Sequence, residues 1–596
     1  MAEANTLAQM TPLKAKIWAC VLLCCLPCIG TAESVVLSPS LPDLQETLEA
    51  TALVLSQDGE ATNGDIVAAA QGDYQRLIAV LYGEGYFGPT ISIKLAGREA
   101  TSLSSLRAPA QVAPVTIRIE QGRQFRFGKA QVSPLPEGTE LPEAFVTGRS
   151  AKTGRIRAAA QTGIEAWRAA SHAKAELAGT DIAARHDVGK LDVDIRINPG
   201  PALRFGDLIV PEDSAVRAER LRKIAGLPVG APYSPDELRR SRARLAETGA
   251  FRSVVIEEAE QPNADGTLDF TLAVEDATPR RVGFGAEVSS DEGVSLEAFW
   301  MHRNILGGGE RLRFDLDIDG IGGSTGVDYA LGVTLTVPGF KRPDDTLTIG
   351  ATAERLDEPT FNSDIATLFV NRSRRFNDHL TASIGAEFRS SHTTDVFGSR
   401  SFRHIVFDAE ATLDKRDDKL APRKGTYLQF GISPFVGVSG SESGLRLEGD
   451  LRGYYALGGS TVFAGRLQLG SVLGPTVPET PPEFLFLSGG GGTVRGQDYQ
   501  ALGVELPQGR VGGRSFVGLS AEVRQTLGGN FGLVGFFDYG FVADGSGFQD
   551  GNDHAGIGIG ARYLTGLGAL RVDIATQASG NSAEDIFLYI GLGEAF

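Results

Sequence analysis

Residues 380–389 read Leu-Thr-Ala-Ser-Ile-Gly-Ala-Glu-Phe-Arg, with Leu380, Ala382, Ile384, Ala386 and Phe388 on one parity and Thr381, Ser383, Glu387 and Arg389 on the other. Successive side chains of a strand point to opposite faces, so this segment is a strand with one apolar and one charged face. The same alternation sets Leu312, Phe314, Leu316 and Ile318 against Arg311, Arg313, Asp315 and Asp317, and Ile405, Phe407, Ala409, Ala411 and Leu413 against Asp408, Glu410, Thr412 and Asp414. It recurs where Leu445, Leu447 and Leu451 alternate with Arg446, Glu448, Asp450 and Arg452. The polar face carries both signs at high density, as a wet, salt-bridged lumen would, which leaves the apolar face for lipid. A sandwich in water would turn its polar face to bulk solvent and its apolar face to a second sheet. Residues 279–596 accommodate about sixteen strands at roughly twenty residues per strand and turn. A bilayer offers no partner to unpaired backbone at a sheet edge, so the expected architecture is a closed, transmembrane, antiparallel β-barrel.

The whole chain has 596 residues, too many for one ordinary core, and a net charge of −17, which argues against a general nucleic-acid binder. No apolar run reaches the roughly twenty residues of a spanning helix. The most apolar run, residues 17–29, follows Lys14 and Lys16 and precedes Gly30-Thr31-Ala32, the pattern of a secretory signal peptide over 1–32 cleaved after Ala32. All four cysteines, Cys20, Cys24, Cys25 and Cys28, lie in that leader. Leu23 before Cys24 and Pro27 before Cys28 are not the small residues a lipidated cysteine requires. An exported, acidic, glycine-rich chain without mature cysteines fits the Gram-negative envelope.

Between leader and barrel the periodicity is mixed. Ile66, Ala70, Tyr74, Leu77 and Leu81 make a helical stripe ended by Gly83 and Gly85, and Ile91, Ile93 and Leu95 alternate as a strand. Val115, Ile117 and Ile119 alternate before Gly122; Ile156, Ala160, Ile164 and Trp167 form a second stripe; Leu191, Val193, Ile195 and Ile197 alternate again. A third pass has Ser234 as N-cap, Pro235 as first helical residue and Glu237 closing a capping box, with Leu238 and Leu245 inward, then Gly249, Phe251 and the strand of Leu268, Phe270, Leu272 and Val274. Phe125-Arg126-Phe127-Gly128 returns as Leu203-Arg204-Phe205-Gly206. This predicts three α+β modules over 33–121, 122–201 and 202–278, whose open sheet edges suit either strand addition by a partner or simple spacing.

Late in the barrel, residues 489–503 read GGGGTVRGQDYQALG. Four successive glycines hold neither helix nor strand well and read as a long flexible loop ending in one fixed charge, Arg495, whose planar guanidinium suits a carboxylate in the lumen. On two late strands parity turns an acidic residue inward. Val517, Leu519, Ala521 and Val523 face out and leave Glu522 inward, while Asp538 lies opposite Phe537 and Tyr539. The final segment alternates Ile586, Leu588, Ile590 and Leu592 and ends on Phe596.

On these residues the chain resembles the outer-membrane assembly superfamily whose members include BamA and TamA, and most closely the TamA type. The resemblance rests on three POTRA-like modules before a barrel, on residues 300–307 (WMHRNILG), on Asp414-Lys415-Arg416-Asp417 with Pro422 and Gly425, and on Phe484-Leu485-Phe486 leading into 489–503. It implies that Val494-Arg495-Gly496 is the family's motif on the sixth extracellular loop, folded back into the barrel and locked to Asp538, with Glu522 as second partner. It also implies that Phe587, Tyr589 and Phe596 belong to a C-terminal signal for barrel insertion. The family usually has an aromatic residue after Val-Arg-Gly, where this chain has Gln497, with Tyr499 the nearest aromatic. The implied function is assembly or translocation of outer-membrane clients of autotransporter type, with a TamB-like periplasmic partner and no cofactor. Glycines Gly283, Gly285, Gly591 and Gly593 lie on both sides of the seam between the first strand, near Arg280 to Ser290, and the last, Asp585 to Phe596, where a client strand would add; they weaken strand packing there, which fits a gate and equally fits ordinary barrel bends. Alternatives are a passive pore or receptor, a BamA-like general insertase, or a two-partner secretion transporter.

Enzyme chemistry is not expected. Gly322-Gly323-Ser324-Thr325-Gly326 matches a nucleophile-elbow pattern but lacks a following helix. The seven histidines, His172, His186, His302, His379, His392, His404 and His554, show no metal-ligand spacing, and Gly556-Ile557-Gly558-Ile559-Gly560 sits in a strand pattern where a dinucleotide fingerprint has no place.

Overall fold

The computed structural model describes residues 34–38, 41–56, 61–289, 293–323, 326–566, 568–579 and 586–592. The expected leader over 1–32 with all four cysteines, Ser324, Gly593 and Phe596 lie outside them. The chain divides into two compact units, one reaching to residue 204 with 232–235 added, the other comprising 205–231 and 236–596.

The first unit holds two small sheets. In one, the strands run in the order Ser34–Ser38, Val115–Glu120, Thr90–Leu95, Arg98–Glu99, the first pair parallel and the others antiparallel. Helices α1 (Pro42–Thr51) and α2 (Asn63–Gly83) belong to the same core. The α2 stripe arises as its period predicts: Ala70, Leu77 and Leu81 are fully buried against Ile93, Ile117 and Ile119. A reciprocal pair starts the helix, Asp65 N–H donating to Thr62 Oγ1 at 3.3 Å and Thr62 N–H to the Asp65 carboxylate at 3.0 Å. α1 escapes sequence reading because it buries just Leu44 and Leu48. The other sheet orders Arg126–Ser133, Lys190–Asn198 and Glu176–Arg185, with α3 (Thr153–Ala169) packed on its inner face. Glu176–Arg185 is an edge strand, exposed along most of its length.

The second unit joins a third sheet to the barrel. That sheet orders Arg204–Ile209, Thr267–Asp276 and Phe251–Glu258 and carries α4 (Ala218–Ala225) and α5 (Pro235–Glu247). α5 begins at Pro235 as expected, with Leu245 fully buried and Leu238 half-buried. α4, unread in the sequence, is two turns long and buries Leu221, Ile224 and Ala225. Cations near these helices hold backbone carbonyls of barrel turns. Arg217 donates to Leu306 O at 2.5 Å, Arg220 to Pro338 O at 2.6 Å and Gly308 O at 3.3 Å, and Lys223 to Phe340 O at 2.7 Å. Arg244 forks onto Asp344 at 2.7 and 3.0 Å, and Arg375 returns the contact to Glu247 at 2.6 Å.

The barrel strands are β1 (Arg280–Ser289), β2 (Gly293–His302), β3 (Arg311–Ile321), β4 (Asp328–Pro338), β5 (Asp345–Glu358), β6 (Phe361–Arg375), β7 (Leu380–Asp395), β8 (Gly398–Asp414), β9 (Gly425–Gly437), β10 (Gly444–Leu457), β11 (Thr461–Leu473), β12 (Ser515–Gly528), β13 (Phe531–Ala543), β14 (Asn552–Thr565), β15 (Gly568–Ser579) and β16 (Ile586–Leu592). They form one 16-stranded sheet in which each strand pairs antiparallel with the next, in keeping with the antiparallel barrel of about sixteen strands expected for this length. Outward residues are apolar and exposed, Phe284 at 84% and Ile586 at 75%. Inward charges pair with one another, as in Asp450 with Arg452 and Arg466, both at 2.7 Å. The ends of the sheet meet differently from its interior. β16 lies beside β1, yet among the described residues no ladder joins them, while even the short β15–β16 ladder runs from Leu570 opposite Leu592 to Thr576 opposite Ile586.

Arg220→Ala removes a charged donor from the turn carbonyls, an interaction class of about 1.5–3 kcal/mol. The third module should then be cut by protease faster than in the parent while the barrel stays resistant; equal rates would show that these bonds do not hold it.

Candidate functional site in the barrel lumen

β11 and β12 are joined by residues 474–514, and this connection folds into the lumen. Its entry is anchored by Phe484 and Phe486, which pack with Phe435, Val472, Phe516 and Val542 in one buried cluster. Phe486 and Gly513 exchange backbone hydrogen bonds of 2.8 Å each, closing the loop at its base. Hydrogen bonds and a bridge give the glycine run a defined turn. Gly489 N–H donates to Thr493 Oγ1 at 2.7 Å, Ser488 and Leu502 pair through their backbones, and Gly490 bridges Val494. Gly489 and Gly490 take φ of 124° and 84°, a region that other residues rarely enter.

The turn delivers Val494, fully buried, and Arg495, 2% exposed, to the wall of β12–β15. Arg495 forks onto Asp538, Nε to Oδ2 at 2.7 Å and Nη2 to Oδ1 at 3.0 Å, and its own N–H reaches Oδ2 at 3.2 Å. Nη1 approaches Glu522 Oε1 at 2.9 Å as an ion pair without hydrogen-bond alignment, and Asp573 Oδ2 at 3.2 Å. The guanidinium also lies 3.6 Å from the centre of the Phe536 ring. Burial opposes the charge on Arg495, but the Asp538 hydrogen bonds and the field of three carboxylates outweigh it and raise its pKa above the ordinary arginine value. Two further arginines complete the cluster, Arg524 on Glu522 at 2.8 Å and Arg562 on Asp573. Three buried arginines thus face three buried carboxylates, with a fourth, Arg571, half-buried beside them within the field of Asp573 and Glu522.

The structure therefore brings together Arg495, Asp538 and Glu522, which parity and resemblance had named, and adds Asp573 and Arg562. It also reveals what makes room for the loop. A Cβ on Gly556 would sit 1.8 Å from Arg495 O, one on Gly540 2.3 Å from Ser488 Oγ, and one on Gly560 1.9 Å from Asp573 Oδ1. The signal was present in residues 556–560, whose glycines fall on the inward parity and whose isoleucines face out. Gln497 occupies the usual aromatic position with an amide: Nε2 donates to Ala555 O at 2.6 Å and to Ser579 O at 3.4 Å. Tyr499 reaches Glu358 at the end of β5. Of the residues that the resemblance assigns to a terminal signal, Phe587 is half-buried and Tyr589 buried in the lumen-side cluster with Val534, Phe536 and Ala575. Among the described residues, no group of three or more His, Cys, Asp or Glu is placed to hold a metal ion.

Comparison with known proteins agrees with this architecture. The Omp85 superfamily domain matches residues 282–596. Among solved structures, BamA from Haemophilus ducreyi lacking POTRA domains 1-3 is similar with a TM-score of 0.58 at 14% identity, covering 79% of this chain and 100% of that one. CdiB from Acinetobacter baumannii has a TM-score of 0.48 at 12% identity, covering 79% of this chain and 89% of that one. At such identity the likeness to BamA bears on the fold alone.

Removing either side of the Arg495–Asp538 pair strands a buried charge, at a cost of about 3–5 kcal/mol. In detergent, Arg495→Ala and Asp538→Ala should each lower the melting temperature of the barrel, and the double variant should lose much less than their sum. Gly556→Ala should displace the loop and reproduce the Arg495→Ala shift with the charges intact; a parent-like melt would show that the inward glycines are not needed for loop seating.

Proposed function

The chain belongs to the Omp85 superfamily, and from that premise we propose that it is an outer-membrane assembly or translocation factor of TamA type, helping β-barrel clients such as autotransporters to insert or cross. The observation that carries this reading is the seam: β1 and β16 are neighbours without a described ladder between them. Unpaired strand edges recruit strands, so a client strand adding to this seam would satisfy its own backbone groups as it enters the membrane. The driving force is then the folding of the client, and no nucleotide or cofactor is called for.

Three sheets ahead of the barrel support modules at 33–121, 122–201 and 202–278 in the periplasm, after removal of a leader over 1–32. The exposed edge strand Glu176–Arg185 offers a periplasmic partner, TamB-like by resemblance, a site for strand addition. A passive pore or receptor would leave both the modules and the loop that occupies the lumen without a role. In this reading Val494-Arg495-Gly496, Asp538 and Glu522 hold the loop in a working position, while Phe587, Tyr589 and Phe596 mark the chain for its own insertion.

A deletion strain complemented with parent or Arg495→Ala protein tests this. Loss of a subset of surface-exposed autotransporters, restored by the parent and not by the variant, is the expected result. Collapse of all outer-membrane proteins would replace it with a general insertase, and a change confined to solute uptake would replace it with a pore.

A further inference from the structure

We infer that Tyr589 couples the folded-in loop to the last barrel strand, making it a positioning residue for the seam. The loop grips the wall strand by strand. Arg495 meets β12, β13 and β15 through Glu522, Asp538 and Asp573, and Gln497 holds the carbonyls of Ala555 on β14 and Ser579 at the end of β15. β16 is joined to the same loop through Tyr589. The N–H of Gly496 donates to Tyr589 Oη at 3.2 Å, and Gly491 lies beside the ring, where a Cβ would stand in van der Waals contact with its Cδ1 at 3.4 Å. The ring belongs to one cluster with Phe536, the same ring that carries the Arg495 guanidinium.

This contact matters because β16 is short and has a described ladder on one side, with β15. A strand paired on one side keeps its register through its side chains, and Tyr589 presents to the lumen a phenolic oxygen that accepts from the loop amide of Gly496. Gly496 adjoins the arginine in sequence, so the ion-pair cluster and the seam are separated by a single peptide unit. Displacing the loop releases β16, and a strand inserted at β16 pulls on the loop.

The inference rests on the reading that clients enter at the seam, and the experiment separates the two. All four cysteines precede residue 29, so cysteines placed at residues 281–286 and 586–591 are the sole thiols of the barrel. Cross-linking each pair in proteoliposomes maps the register of β1 against β16. In the parent background one register should dominate. Tyr589→Phe keeps the ring and removes the acceptor; it should cut the yield of the dominant pair about threefold to fivefold, the worth of one hydrogen bond, with neighbouring pairs gaining. Tyr589→Ala should spread the yields further, while both variants keep a higher melting temperature than Arg495→Ala. An unchanged cross-linking map in both variants, or no dominant register in the parent, overturns the coupling. Insertion of a purified barrel client is followed in the same vesicles: a shifted map with unaltered client insertion leaves the coupling standing and removes the seam as entry point. An unchanged map with client insertion lost in Arg495→Ala does the opposite.

Discussion

A guanidinium buried inside a membrane barrel must have carboxylates around it, and the form of the loop follows from that need. Arg495 sits among Asp538, Glu522 and Asp573, of which Glu522 also pairs with Arg524 and Asp573 with Arg562. Once the cluster forms, neither the loop nor the wall can move alone without leaving a charge unpaired in a desolvated place. Everything near it adapts. Gly489 and Gly490 supply the backbone angles that turn the chain, and Gly540 and Gly556 clear the space in which it lies.

The second constraint is the sheet itself. In a bilayer each strand needs two neighbours, and among the described residues ladders join every consecutive pair of strands while none joins the two ends of the sheet. The weak place is therefore a property of topology, fixed at the junction of first and last strands, and it lies on the side of the wall that the loop cluster braces. The opposite rim is held by other means. Cations of the third module reach carbonyls in the short barrel turns, so this module travels with the barrel as one compact unit while the first two sheets form another.

Much of this was legible in the chain because a strand writes its two environments on alternate residues. Leu380 to Phe388 announce lipid on one side, and Thr381 to Arg389 announce a wet lumen on the other, long before any partner strand is known. The number of strands followed from length, and Glu522 and Asp538 could be assigned inward by parity alone. Short helices were not legible, since α1 and α4 bury too few residues for a period to show. Gln497 could not be placed either, because its two acceptors, Ala555 O and Ser579 O, are backbone atoms that carry no sequence signature.

By itself, then, the amino-acid sequence determined the class of fold, the direction each barrel residue faces and the presence of one arginine on a glycine-rich loop. Asp538 and Glu522 were named for that arginine by parity and resemblance, but the third carboxylate, the glycines that clear its path and the contact to the last strand were decided in three dimensions. Parity is a local property of φ and ψ, repeated every two residues, whereas the neighbours of a loop depend on how far it folds back and which strands it crosses. Asp573, Gly556 and Tyr589 lie on three different strands, 61 to 94 residues beyond Arg495 counting from Gly556 to Tyr589, and only closure of the sheet around the loop brings them to it.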